Sequence, residues 1–176
     1  LGGYLWMFKQ KEKVISSIQK HKDKKEIVIF KDILDIKKEF NFEDLIRLIH
    51  SEDYVSTIKH RKEVGYNQKN VLGNVFQIKG VHVSEPFFTI HKFLNEKFKK
   101  IDRADLFVSF KRSFGAIHMD EESVFILSFY GETIYTFPDL NRSFPIGKGD
   151  GIFIPQGIRH SANSIAARMA CSWGIY

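Results

Sequence analysis

Gly149-Asp-Gly-Ile-Phe-Ile-Pro155-Gln-Gly157-Ile-Arg-His160 reads as an apolar strand, a Pro-x-Gly turn and a histidine. Upstream of it lies Gly115-Ala-Ile-His118-Met-Asp120, a histidine and a carboxylate two residues apart in a run that also reads as strand. Side chains alternate along a strand, so His118 and Asp120 are expected on one face, about 7 Å apart along it. His160 supplies a third candidate ligand. Two imidazoles and one carboxylate that leave coordination positions open form the donor set of non-haem Fe(II) sites. A lone His-x-Asp is common as a structural pair; it is the agreement of two separated stretches that points to metal.

The 176 residues are enough to bury a substantial core in one domain, and 17 phenylalanines argue for such a core. No apolar run is long enough to cross a membrane. The opening Leu1–Phe8 stretch is too short for a signal-peptide core, and its charges follow the apolar part. Met7 is a candidate start, with residues 1–6 an upstream extension. The single cysteine, Cys171, excludes a disulfide framework and is read as a small buried apolar residue. A cytoplasmic protein is expected.

The net charge of +6 is uneven. Residues 1–100 hold 20 Lys/Arg against 13 Asp/Glu, whereas 101–176 hold 7 against 8. The lysines between Lys9 and Lys25 alternate with acids and small apolar residues, as on a solvated helix face. Nucleic acid is therefore not an expected partner.

Residues 9–25 read as a Lys-rich helix with Val14, Ile15 and Ile18 on one side, and 26–30 as a strand. Residues 1–25 are expected to be an extension outside a domain spanning 26–176. Asn41 is a good N-cap for a helix carrying Glu43 and Asp44 in its first turn, with Phe42, Leu45, Ile46 and Ile49 at helical spacing. Residues 54–60 are read as strand and 63–79 as loop. Ser84 and Pro86 open a helix whose stripe is Phe87, Ile90, Leu94 and Phe98. From 104 onward the period changes to 2. Strands are expected at 106–111, 116–120, 123–130, 133–137, 151–154 and 168–176, with 138–148 a turn-rich loop. Helices followed by short strands predict an α+β, mainly β fold with a jelly-roll core at about 104–176 and the helices packed outside.

Gly149-x5-Pro155-x-Gly157-x2-His160-x2-Asn163 resembles the second cupin motif, with one residue of difference in the spacing to Asn163. The first cupin motif matches in part: Gly131 is in place, the usual second histidine is Asp120, and the usual glutamate is Val124. His-x-Asp followed by Val124-Phe-Ile-Leu-Ser-Phe-Tyr-Gly131-Glu-Thr-Ile-Tyr is similar to jumonji-C-like oxygenases. The likeness covers residues 84–176 and, loosely, 26–60.

The resemblance implies a double-stranded β-helix that binds Fe(II) through His118, Asp120 and His160. It further implies 2-oxoglutarate as co-substrate and hydroxylation of a small molecule, protein or peptide. Many members carry a basic residue where this chain has Thr133. Arg168 is the candidate replacement, with Lys111 and Arg112 as others; Thr133, Tyr135 and Ser172 complete the candidate co-substrate set. The ordinary alternative for Arg168 is a strand-end side chain reaching solvent. A metal-dependent cupin of another class, such as an isomerase or an oxoacid-independent dioxygenase, and a non-catalytic binding module are the competing readings. A homodimer is a further expectation. His82 and His91 are read as ordinary partly buried histidines.

Overall fold

The computed structural model describes residues 7–35, 40–49 and 75–176. Strand β1 (Met7–Phe8) precedes helix α1 (Lys11–Lys22), β2 (Val28–Phe30), β3 (Leu34–Asp35) and α2 (Phe42–Ile49). Then come β4 (Phe76–Lys79), a 3-10 turn (Val81–Val83), α3 (Phe87–Lys97), β5 (Ile101–Ser109) and β6 (Ser113–Phe114). The chain continues through β7 (Ser123–Tyr130), β8 (Thr133–Phe137), a second 3-10 turn (Pro138–Leu140) and β9 (Arg142–Ile146). It closes with β10 (Gly151–Ile154), β11 (Ser161–Ser164) and β12 (Arg168–Ile175). A six-stranded sheet, β2-β10-β7-β12-β5-β4, faces a four-stranded one, β6-β11-β8-β9, and every pair is antiparallel. This is the expected jelly roll.

β7 shows why the roll closes. Its sequence Ser-Val-Phe-Ile-Leu-Ser-Phe-Tyr is a near-continuous apolar run, buried at every position but the last. Such a run fits a strand covered on both faces. Phe125, Leu127 and Phe129 join an outer core with Val14, Ile15 and Ile18 of α1, Leu45 of α2 and Phe87, Ile90 and Leu94 of α3. Val124 and Ile126 point the other way, into an inner core with Tyr135, Phe137, Ile146, Ile152 and Ile154. The helices thus cover the outside of the large sheet, and the inner core lies between the two sheets. Cys171 belongs to the outer core, where burial pushes its thiol up, as a packing role requires.

Local chemistry sets the helices. The Asn41 Oδ1 accepts from the Glu43 and Asp44 N–H groups, and the Asp44 carboxylate accepts from the Asn41 N–H in return. This satisfies donors that the first helical turn leaves unpaired. Leu45 is buried, but Ile46 is 56% exposed, so the apolar face of α2 is narrower than its spacing suggests. The α1 lysines stay at the surface, where Lys11 and Lys97 lie over the Phe93 ring.

Five expectations are corrected. Residues 76–79 are not loop but the edge strand β4, pairing with β5 through Phe76↔Val108 to Lys79↔Asp105. The Gly and Asn residues just before it hide so short a strand. Residues 142–146 are strand as well; Pro145 is tolerated because β9 is an edge. Ser84 does not cap α3. Pro86 occupies that position without a side-chain cap, while the Glu85 carboxylate accepts from Thr89. Residues 116–120 hold only one isolated bridge, at His118, rather than a strand. Ser161–Ser164, in a stretch read as part of no strand, forms β11 against β8 and β6. Residues 54–60 lie outside the described residues.

Glycine positions give a test. Gly131 has φ +66°, and a Cβ there would lie 2.1 Å from the Ala167 carbonyl oxygen; Gly157 has φ +79° with open space around it. Gly157→Ala carries only the left-handed backbone penalty of about 1–2 kcal/mol. Gly131→Ala adds a backbone clash and is expected to cost about 3 kcal/mol or more. Denaturant unfolding of the two variants checks the order.

Candidate metal centre

His118 and His160 exchange both backbone hydrogen bonds, N to O in each direction at 2.9 Å. In an antiparallel pairing, residues bonded this way sit directly opposite each other with side chains on one face. Their imidazoles are accordingly 4.4 Å apart between ring centroids. Asp120, two residues beyond His118, turns its carboxylate to the same side. Its Oδ1 lies 3.6 Å from His118 Nε2 and its Oδ2 3.5 Å from His160 Nε2. One ligand atom from each of the three residues falls within 4.8 Å of the others. Ile117 and Met119, of opposite parity, are exposed to solvent.

Both rings are held in one tautomer by the same local contact. His118 Nδ1 is 3.0 Å from the Ala116 carbonyl oxygen, and His160 Nδ1 is 2.9 Å from that of Ile158. A carbonyl can only accept, so each Nδ1 carries a proton and donates it. Each Nε2 is left with its lone pair turned toward Asp120. Histidines that bind metal are oriented in this way by a donated N–H on the far side of the ring. Burial lowers the His160 pKa, as does the neighbouring His118; the Ile158 carbonyl and Asp120 pull it up. The net direction favours the neutral imidazole that a metal requires. The His118, His160 and Asp120 side chains are 50%, 4% and 28% exposed, so the donors open to solvent on the His118 side. Three converging donors, a fixed tautomer and an open side fit a divalent ion with free positions.

The triad lines a cavity of about 180 Å³ whose walls also include Tyr135, Arg168 and Ser172. Val124, at the position of a fourth cupin ligand, contributes an apolar wall. Arg168 does not reach solvent: it is 3% exposed. Its Nη1 donates to Thr133 Oγ1 at 3.1 Å, and the Tyr135 phenol lies near enough to influence its charge. Its Nε is buried without a partner, and no carboxylate among the described residues is paired with it. Burial lowers the Arg168 pKa, opposed by Tyr135, while burial pushes the Tyr135 phenol up to about 12 against the pull of Arg168 and Thr133. The result is a buried cation, a neutral phenol and an orphan N–H beside one cavity, which fits an anionic group.

Thr133 is fully buried behind Arg168 and lies off the cavity wall. Lys111 and Arg112 are exposed and do not line the cavity; Arg112 lies over the Phe114 ring at 4.6 Å. His82 and His91 form a separate ring pair, 4.6 Å between centroids, away from the triad. Sequence reasoning missed the part of the wall that β5 and β4 supply beside β12. Asp105 accepts from Gln77 Nε2 at 2.9 Å and from Arg103 Nε at 3.2 Å, and all three line the cavity. Alternation on β5 could have found Arg103 and Asp105, because Ala104, Leu106 and Val108 are the outer-core positions of that strand. Glu122, also on the wall, has its carboxyl held above the usual range by burial, Asp120 and Asp102.

No protein-family model and no curated protein sequence matches the chain. Solved structures do. The ribosomal oxygenase YcfD from Escherichia coli matches with a TM-score of 0.65 at 17% identity, over 92% of this chain and 50% of that one. The same protein in complex with cobalt and 2-oxoglutarate gives 0.67 at 16% identity, over 92% and 51%. Its complex with cobalt and succinic acid gives 0.64 at 16%, over 92% and 51%. The chain spans about half the length of these structures. At this identity the likeness is one of fold: the chain shares the jelly-roll architecture of these structures.

Proposed function

We propose that this chain is an Fe(II)- and 2-oxoglutarate-dependent oxygenase. The reading is carried by one observation: the His118–Asp120–His160 donors share a cavity with a buried Arg168 that pairs with no carboxylate among the described residues. The two imidazole Nε2 atoms and an Asp120 oxygen would hold the metal, leaving adjacent positions open. When bound, the metal and oxo acid supply dioxygen activation coupled to decarboxylation.

The chain's own residues do the rest. The Ala116 and Ile158 carbonyls keep both imidazoles turned the right way. Arg168, oriented by Thr133, would receive the distal carboxylate with its orphan Nε, and the Tyr135 phenol, neutral at working pH, donates beside it. Ser172 offers a further hydroxyl on that wall. Arg168, which reaches Thr133 from β12, would stand in for the basic residue that this chain lacks at position 133. Val124, Ile126 and Ala162 exclude water on the apolar side. A protein or peptide substrate is favoured by the likeness to a ribosomal oxygenase.

Anaerobic titration of the Fe(II)-loaded protein with 2-oxoglutarate tests this. A weak visible charge-transfer band is expected, and iron binding without any band would sink the co-substrate claim. Arg168→Met should weaken 2-oxoglutarate binding at least tenfold, the scale for truncating one partner of a desolvated charge pair, about 2–5 kcal/mol. The same variant should fold with undiminished stability, because it removes a buried charge that lacks a counter-ion. Unchanged 2-oxoglutarate affinity would remove Arg168 from the site.

Metal affinity should depend on pH in one direction. Protons compete for imidazole lone pairs, so affinity falls with acid. The lowered His160 pKa keeps that residue neutral below the ordinary histidine value of about 6.5. Cobalt titrations from pH 8 down to 5 are expected to hold near neutrality and weaken toward the acid end; tightening with acid would contradict a histidine site.

A further inference from the structure

The Asp120 carboxylate is held in place without a hydrogen bond from any described side chain or backbone donor. Its contacts are the two imidazoles at 3.6 and 3.5 Å. Its direction must then come from its backbone, and that backbone has left the sheet. The bridge at His118 is isolated, and β7 begins only at Ser123. Across this gap the hydrogen bonds among the described residues tie the segment to the Pro155–Gly157 turn. The Gly157 N–H donates to the Asp120 carbonyl at 3.3 Å. The Gln156 side chain donates from Nε2 to the Glu121 carbonyl at 2.6 Å. The Gln156 N–H donates to Ser123 Oγ at 3.1 Å, and Ser123 is buried.

We propose that Gln156 is a positioning residue for Asp120: the turn that delivers His160 also clamps the backbone of the carboxylate ligand. This rests on the reading of the triad as a metal site. Only the amide end of Gln156 can face a carbonyl, so the contact fixes the side chain's orientation. Gln156 itself is exposed and belongs to neither core, so the clamp is separable from folding. One turn therefore sets two ligands, His160 directly and Asp120 through its neighbour. A ligand whose orientation depends on an outer hydrogen bond loses affinity when that bond is cut, on the order of 10–100-fold.

Cobalt(II) binding, followed by its visible d–d spectrum, reads this without turnover. Wild type, Gln156→Met, Gln156→Lys and His160→Ala are compared, each with a melting temperature. Gln156→Met keeps the length but not the donor, and should weaken cobalt binding about tenfold with a changed spectrum and little change in Tm. Gln156→Lys retains a donor and should recover most of the affinity. Wild-type affinity and spectrum in Gln156→Met would overturn the clamp. So would a joint loss of affinity and Tm that Gln156→Lys fails to restore, which marks a merely structural turn. Failure of the wild type to bind cobalt, or equal binding by His160→Ala, would instead overturn the metal reading beneath it.

Discussion

The reciprocal backbone bonds between His118 and His160 are the constraint on which the site depends. They bring together residues 42 positions apart in the sequence and place both imidazoles on one face. From that register the rest follows by geometry. Asp120, two residues on, turns its carboxylate toward both imidazoles, while Ile117 and Met119 are exposed. A slip of one residue would exchange His118 for Ile117 at the bridge and dismantle the donor set. Sheet closure serves this register: β11, which follows His160, is fixed between β6 and β8, and Gly115 is bonded to Ala162 just before the ligand segment.

The inside of the roll is divided. One part is filled by Ile146, Ile152, Ile154 and Phe137, which makes it a packed core. The other part is left open around the triad and walled by charged and polar groups from β5 and β12. Arg168 stands at this boundary. Its burial would be hard to reconcile with folding alone, since no paired carboxylate among the described residues offsets its desolvation. An anionic ligand on Arg168, as proposed, would offset the cost of that buried charge. The charge asymmetry of the chain agrees with this division. Among the described residues, the α1 lysines do not line the cavity.

The triad was legible in the sequence because its determinants are local. Parity places His118 with Asp120, and the Pro-x-Gly turn marks the return to His160. β7, β8, β10 and β12 were legible for the same reason, as apolar runs bounded by turn residues. β4 and β9 were not: β4 is short and follows Gly73-Asn74, and β9 contains Pro145, so a single sequence reads both as loop. Arg103, Asp105 and Gln77 were missed for a different reason. Charged residues on alternate positions normally mark a solvated face, and only closure of the roll turns that face inward. Arg168 belongs to the same class: proximity to a strand end suggests solvent, and its burial appears only when β8 brings Thr133 and Tyr135 over it.

The most direct test of the central claim is anomalous diffraction from crystals soaked in manganese(II) and 2-oxoglutarate. The account predicts a single strong peak among His118 Nε2, the Asp120 carboxylate and His160 Nε2, with the distal carboxylate of the oxo acid on the Arg168 guanidinium. A peak at other residues, no peak at all, or an oxo acid turned away from Arg168 would contradict it.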